Sequence, residues 1–488
     1  MANHFLRELH TAFADRANHA ALTHRGRTYS FGELEALAQR CASWLRTLGV
    51  SPGDRVALCT PNKLPFLVAH LGTLYAGAVS LPLNPRFTRE ELRFFLADSG
   101  ARVAVAGPDQ YALLEGLQPE LPELRCVVAD AGVLDAPNAP YIEPAIAADD
   151  PCLILYSSGT TGWPKGIVHT HANTANALRC LARSWHFSPG DVVANVLPLF
   201  HIHGLSIATH LTLLSGSHLL LEDNFDPVGT LPVIGKSTVF MAVPTIYYKF
   251  LEQPAFRTAA KSWSQVRLFT CGSAPIRPEV LPELETILGR PIINRYGMTE
   301  TFVITSLPRG GPWPQGSVGV PLDGVELRLT DVQDNVGTVS LRGPNLFREY
   351  WGKPEASRAA FRTGWFDTGD LGTLDAAGFL TLVGRKHDLI ITSGYNVYPQ
   401  VVERVLNDCP GVRESAVVGV ADRRRGERVV AFVVKGDDSL NERRVLDHCG
   451  DRLVDYQRPS AVVFVESLPR NAMGKVLRRE LQKKADPH

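Results

Sequence analysis

Between Ser30 and Ala106 the chain alternates between the two periodicities of regular structure, and that alternation limits what it can fold into. Ser30 stands as a helix N-cap before apolar positions at Leu34, Leu37, Ala38, Cys41 and Leu45, which recur at the roughly 3.6-residue period of an amphipathic helix. Residues 54–59 read as a buried strand, 65–75 as the next helix and 101–106 as another short apolar strand. Strands separated by helices require β-α-β crossovers and parallel sheets, so the expected fold class is α/β. A chain of 488 residues exceeds one core and suits about two to four domains at roughly 100–200 residues each.

Near residue 315 the texture changes. Residues 325–329, 337–341 and 378–382 are short alternating strands split by turns, the pattern of a small antiparallel or barrel-like subdomain over about 315–384. Beyond Gly384-Arg-Lys-His-Asp388 come a helical stretch at 401–406, strands at 415–420 and 429–434, and a helical stretch at 441–453. They outline a small α+β domain. The expected organisation is an N-terminal domain at 1–385, including the barrel-like part, and a C-terminal domain at 386–488.

Composition excludes several classes. Lys+Arg and Asp+Glu each total 50 and cancel, which removes the basic footprint of a nucleic-acid binder. Eight cysteines without a C-x-x-C pair read as reduced thiols of a cytoplasmic protein, not as a disulfide framework or zinc ribbon. The N-terminal stretch carries acids and lacks an apolar segment, so no secretory signal is read there. Residues 192–221 carry no Asp, Glu, Lys or Arg and exceed the roughly 20 residues of a membrane span. They also hold Asn195, Pro198 and four histidines, which are costly in lipid. The run is read as buried core, and no integral membrane segment is expected.

The densest chemical signal follows the apolar run 153–155: Tyr156-Ser157-Ser158-Gly159-Thr160-Thr161-Gly162-Trp163-Pro164-Lys165-Gly166. Backbone N–H groups and hydroxyls in such a loop wrap phosphate oxygens, while Lys165 supplies positive charge. A Walker A loop needs Gly before its lysine and Ser or Thr after it; here those positions are Pro164 and Gly166. His169-x-His171 and His201-x-His203 have a spacing open to metals, but no carboxylate or cysteine stands at ligand spacing beside either pair. They are not read as metal sites.

Further motifs follow in order: Leu197-Pro-Leu-Phe-His201, Asn294-Arg-Tyr-Gly-Met-Thr-Glu300, Gly364-Trp-Phe-Asp-Thr-Gly-Asp370, Gly394-Tyr-Asn-Val-Tyr-Pro399 and Pro469-Arg-Asn-Ala-Met-Gly-Lys475. With them the sequence resembles the AMP-forming acyl-CoA synthetases, from about Thr28 to about Glu480. The resemblance implies ATP, Mg2+ and coenzyme A. It implies that Ser157, Ser158, Gly159, Thr160, Thr161, Gly162 and Lys165 hold phosphates, and that Glu300 holds the metal with Thr160 or a water. Thr299 would donate to the α-phosphate. Gly272, Ser273 and Ala274 would face Tyr296 across the adenine, with Asn294 in the same nucleotide motif. Asp370 would take the ribose hydroxyls, with Arg385 as a second ribose or phosphate contact; Lys475 would bridge carboxylate and ATP, and His201 would gate the acyl pocket from the pantetheine tunnel. Joining a carboxylate to AMP brings two anions together, so the chemistry asks for a cation, a metal and oriented donors. At the hinge, where the family usually has Asp or Lys, this chain has His387, whose contacts depend on protonation. An accessible Lys475 would be a target for regulatory acetylation, which removes its charge.

The resemblance implies adenylation of a carboxylic acid followed by transfer to CoA; the alternative acceptor is a carrier protein. Among subgroups it is closest to malonyl-CoA synthetases, through Leu197-Pro-Leu-Phe-His-Ile-His-Gly-Leu205 and the segment ending at Lys249. In that subgroup an arginine near the end of the latter segment clamps the distal carboxylate. Lys249 keeps the charge but not the bidentate fork, and Phe302 and Val303 read as bulkier and more apolar than a dicarboxylate favours. Malonate or methylmalonate therefore stands first, with a short-chain, medium-chain or aromatic monocarboxylic acid as the alternative.

Overall fold

The computed structural model describes residues 4–157, 164–470 and 475–485. The expected helix over the first alternation is Phe31–Thr47. Ser30 accepts from the Glu33 N–H while the Glu33 carboxylate accepts from the Ser30 N–H, a capping box that satisfies two otherwise orphan donors. Leu34, Ala38, Cys41 and Leu45 form its buried face, each large apolar side chain contributing about 1.5–3 kcal/mol on burial.

Arg55–Cys59 lies between Val79–Pro82 and Val103–Ala106, all parallel, with Cys126–Ala129 beyond. On the other side Pro151–Ser157 joins in parallel, then pairs antiparallel with Lys165–Thr170. Together with Glu349–Tyr350 they make a seven-stranded sheet. A second, nine-stranded sheet has a parallel centre of His218–Leu221, Val192–Asn195, Val239–Ala242, Leu268–Cys271 and Ile292–Met298, finished on one side by antiparallel Phe302–Ser306. Parallel strands covered on both faces read as unbroken apolar runs, which is why Val103, Ala104, Val105 and Ala106 are all fully buried.

Residues 192–221 fold as a strand, a wide-turned π-type helix at His203–His210, a short helix and a second strand inside that sheet. The run is core. Among the described residues no helix is long and apolar enough to cross a membrane.

The alternating segments beyond residue 315 form a five-stranded antiparallel sheet of Glu326–Gln333, Val336–Arg342, Phe361–Arg362, Trp365–Leu374 and Leu380–Arg385. Val339, Leu341, Phe366 and Leu380 pack there with Tyr296 and Ile304 of the nine-stranded sheet, so this half-barrel leans on the strand that carries the Asn294 motif. A last five-stranded sheet carries the long hairpin Val412–Asp422 and Gly426–Lys435, with Ala461–Val465 parallel to its second strand. Its own core includes Ile390, Val402, Leu406 and Val445. It touches the rest through Arg277 Nη1, which donates to the Arg413 carbonyl at 3.0 Å.

Candidate active site

Strand Ile292–Met298 leaves the nine-stranded sheet with Tyr296 aimed into the half-barrel. The Tyr296 hydroxyl donates to Asp370 Oδ2 at 2.5 Å, and Arg385 Nε meets Asp370 Oδ1 at 3.0 Å. The second contact follows from register, since Asp370 and Arg385 face each other across neighbouring strands. Burial works against the Arg385 charge, but Asp370, Tyr296 and Asp388 more than offset it and hold the guanidinium above its ordinary pKa. Burial and Asp370 raise the Tyr296 phenol far above its usual value, so it stays a donor. Lys475 reaches the same cluster: burial, then Arg385, lowers its ammonium to about 8 against the pull of Asp370 and Asp388. Four of the residues implied by the resemblance thus come together.

Glu300 lies a short way off. The Tyr350 hydroxyl donates to Glu300 Oε1 at 3.3 Å, and the Lys165 ammonium sits 4.7 Å from the centre of the Tyr350 ring. Tyr350 belongs to none of the motifs and was not legible in the sequence. Glu300 is buried, and burial pushes its carboxyl above the ordinary range, opposed only in part by its own backbone N–H and by Tyr350. An acid with a raised folded pKa binds protons more tightly when folded, so it costs stability as pH climbs past the usual carboxylate range. Glu300→Gln removes that cost. Its melting temperature should exceed that of wild type at pH 8, by a free energy of roughly 0.5–3 kcal/mol, and should match it near pH 4. Equal stability at pH 8 would show that Tyr350 and Arg385 already compensate the ionised carboxylate.

A third group forms around His201. The turn leading to it is tight enough that a Cβ on Gly204 would fall 2.3 Å from the Pro198 carbonyl. Asn195 Nδ2 and Thr209 Oγ1 both donate to the Gly204 carbonyl, at 3.0 and 2.8 Å. The helix that follows is of the π type, often found at functional sites. His203 donates its backbone N–H to His201 Nδ1 at 3.2 Å, and its own Nδ1 is 3.2 Å from Ser273 Oγ. Burial, with Arg295 nearby, lowers His201 to about 4 and His203 well below its usual value. Both are neutral at pH 7.

Arg295, on strand Ile292–Met298 between Asn294 and Tyr296, completes the group. It is 4 % exposed. A Cβ on Gly272 would lie 2.4 Å from Arg295 Nε, so the guanidinium occupies space that only glycine leaves free. Nε and Nη2 are buried without a hydrogen-bond partner among the described residues. Burial lowers its pKa to about 10, which still leaves it charged at pH 7. A buried cation without a compensating charge is strongly unfavourable.

Other expected residues lie elsewhere. Ser158, Gly159, Thr160, Thr161 and Gly162 are outside the described residues; Ser157 and Lys165 flank them as register partners. Asn294 spends its carboxamide within the sheet, donating to the Ser317 carbonyl at 3.1 Å and accepting from the Arg295 N–H. Ala274 is half-buried beside Ser273. His387 Nε2 stands 3.3 Å from Asp388 Oδ1, just after Arg385. Ile246, Tyr247 and Phe250 fill the inner face of helix Pro244–Leu251, and Lys249 is exposed, 6.0 Å from the Phe225 ring centre. Phe302 and Val303 are core residues, the Phe302 ring resting 4.5 Å from that of His169. Among the described residues no three His, Cys, Asp or Glu side chains are grouped to hold a metal.

Two parallel-centred sheets, a half-barrel and a small α+β unit that brings Lys475 to Asp370 and Arg385 have the architecture of adenylate-forming enzymes. The AMP-binding enzyme family matches residues 9–351 and the AMP-binding enzyme C-terminal domain matches residues 401–475. The chain belongs to the AMP-binding enzyme family. It is similar to the long-chain-fatty-acid–CoA ligase FadD13 of Mycobacterium tuberculosis, 34 % identical over 472 residues that span 93 % of this chain and 92 % of the relative. A feruloyl-CoA synthase of Amycolatopsis is 35 % identical over 476 residues, 95 % of each chain. The crystal structure of ATP-bound MatB from Rhodopseudomonas palustris superposes with a TM-score of 0.93 at 36 % identity over 99 % of both chains. The apo form of MatB gives 0.82, so the arrangement of this chain follows the ATP-bound one.

Proposed function

We propose that the protein ligates a carboxylic acid to coenzyme A through an acyl-adenylate, with malonate or methylmalonate as the acid. The observation that carries the dicarboxylate reading is Arg295, a buried guanidinium whose Nε and Nη2 have no partner among the described residues, set between Gly272 and two neutral imidazoles. A second carboxylate on the substrate would complete it, with the planar fork that suits guanidinium recognition.

In the first half-reaction a carboxylate oxygen attacks the α-phosphorus of ATP and the bond to the β-phosphate oxygen breaks, releasing pyrophosphate. Asp370, held by Tyr296 and Arg385, would accept from the ribose hydroxyls. Lys475 would offset the charge of the two approaching anions. Glu300, with phosphate oxygens and waters, fits the sparse carboxylate environment in which Mg2+ is usually bound; the ion would supply further neutralisation of the phosphates. In the second half-reaction the CoA sulfur attacks the acyl carbon and AMP leaves. We take residues 386–488 to turn about His387 between the halves, carrying Lys475 away and leaving its ammonium open to acetylation.

The names of FadD13 and the feruloyl-CoA synthase favour a second reading, in which the acid is a monocarboxylate. Pyrophosphate release from malonate, methylmalonate, acetate, butyrate, octanoate and benzoate decides between them. Malonate or methylmalonate should lead, and a preference of more than about tenfold, or 1.4 kcal/mol, for any monocarboxylate ends the dicarboxylate reading. Product formed with a carrier protein but not with CoA would move the chain to the carrier-loading class.

A further inference from the structure

The turn that carries Thr299 and Glu300 is held from outside. Three successive carbonyls accept from three donors elsewhere in the chain: Thr299 from His169 Nε2 at 2.8 Å, Glu300 from the Phe347 N–H at 2.8 Å, and Thr301 from Asn345 Nδ2 at 2.7 Å. The turn also ends in strain. Phe302 has φ of 56°, a conformation that costs a bulky residue of order 1–3 kcal/mol. Its ring lies against His169, so one side chain supports both the turn and the strained residue after it.

The state of His169 follows from its neighbours. Asn173 Oδ1 accepts from the Thr170 N–H at 2.9 Å, and Asn173 Nδ2 donates to the Leu346 carbonyl at 2.7 Å, which fixes the orientation of the carboxamide. The same Nδ2 is 3.1 Å from His169 Nδ1. An amide nitrogen only donates, so Nδ1 must accept and the ring proton must sit on Nε2, facing the Thr299 carbonyl. The ring is fully buried, and burial lowers its pKa to about 4, so it remains neutral with this one proton. The strand that ends in His169 and Thr170 begins at Lys165. The histidine therefore ties the flank of the Ser/Thr/Gly loop to the turn bearing Thr299 and Glu300. Both of its nitrogens are engaged, which leaves it no part in a metal site.

We infer that His169 is a positioning residue for adenylation: its Nε2–H, oriented by Asn173, holds the Thr299 carbonyl and so sets the Thr299–Glu300 turn against the phosphates. The inference rests on the proposed adenylate chemistry. Two substitutions separate it from simple core filling. Glutamine places an amide nitrogen near the position of Nε2, whereas asparagine reaches only as far as Nδ1.

With the acid that the wild type uses best, His169→Asn should lose about a hundredfold in kcat of ATP–pyrophosphate exchange with little change in KM for ATP, and His169→Gln should stay within about tenfold of wild type. Thioester formation from supplied acyl-adenylate should survive in both. Equal losses in both variants and both half-reactions, tracking a fall in melting temperature, would reduce His169 to packing and overturn the inference; so would full exchange activity in His169→Asn. If His169→Asn does not fold, Asn173→Ala leaves the ring in place but frees its tautomer. It should show the same loss confined to adenylation, and wild-type exchange there overturns the inference. A wild type that catalyses no acid-dependent exchange fails the adenylate reading itself, a result the variants cannot mimic.

Discussion

Lys475→Ala should abolish acid-dependent ATP–pyrophosphate exchange, a loss of about two to three decades, while thioester formation from supplied acyl-adenylate continues. The expectation comes from placement: Lys475 meets Asp370 and Arg385, the residues assigned to the ribose, in an arrangement that follows the ATP-bound form of MatB. A group used in one half-reaction should cost that half alone. The ammonium also sets a pH limit. Burial and Arg385 lower its pKa to about 8, so the charged form is complete below that value and is lost as pH rises through it. The kcat/KM for adenylation, which reports the free enzyme, should fall above pH 8. The corresponding limb in kcat should lie higher, because bound phosphates favour the ammonium. Lys475→Arg should remove the limb near 8, since guanidinium does not titrate there. Equal loss of both half-reactions in Lys475→Ala would give the lysine a different role.

The layers of the fold were legible wherever burial is two-sided or strictly alternating. Val103–Ala106 reads as a strand because both faces are covered, and the start of Glu326–Gln333 reads as a one-faced strand because Glu326, Leu327, Arg328 and Leu329 are exposed and half-buried in turn. Contacts that depend on register between distant strands were not legible. The family resemblance assigns Asp370 and Arg385 to the nucleotide, but Tyr296 as the hydroxyl that orients Asp370 follows only from how the half-barrel leans on the Asn294 strand. Tyr350 stands outside every motif and reaches Glu300 only because its short strand pairs with Lys165–Thr170. The exposure of Lys249 was readable in the sequence. Tyr247 and Phe250 set the inner face of a helix, and a residue between them at 249 falls off that phase. Arg295 was hidden for the opposite reason: a cation inside a strand motif looks incidental until Gly272, just past the end of the adjacent strand, is seen to make room for it.

Arg295→Met should separate binding of the acid from stability of the fold, and the two should move in opposite directions. In the acid-free protein the guanidinium is buried with Nε and Nη2 unpaired among the described residues. Methionine fills similar length without the charge, so the variant should melt higher, because an uncompensated buried ion costs more than an apolar side chain in its place. With malonate the balance reverses. Removing one partner of a buried ion pair costs on the order of 3–5 kcal/mol, or two or more decades in kcat/KM. Butyrate and other monocarboxylates never engage the fork and should be spared or improved. Arg295→Lys, which keeps charge but not the paired donors, should fall between. Calorimetry without ATP gives an independent reading: malonate should raise the melting temperature of wild type through mass action, and should leave Arg295→Met unmoved. Loss of turnover with every acid alike, accompanied by a lower melting temperature, would make Arg295 a framework residue packed on Gly272 and would return the choice of acid to the monocarboxylates.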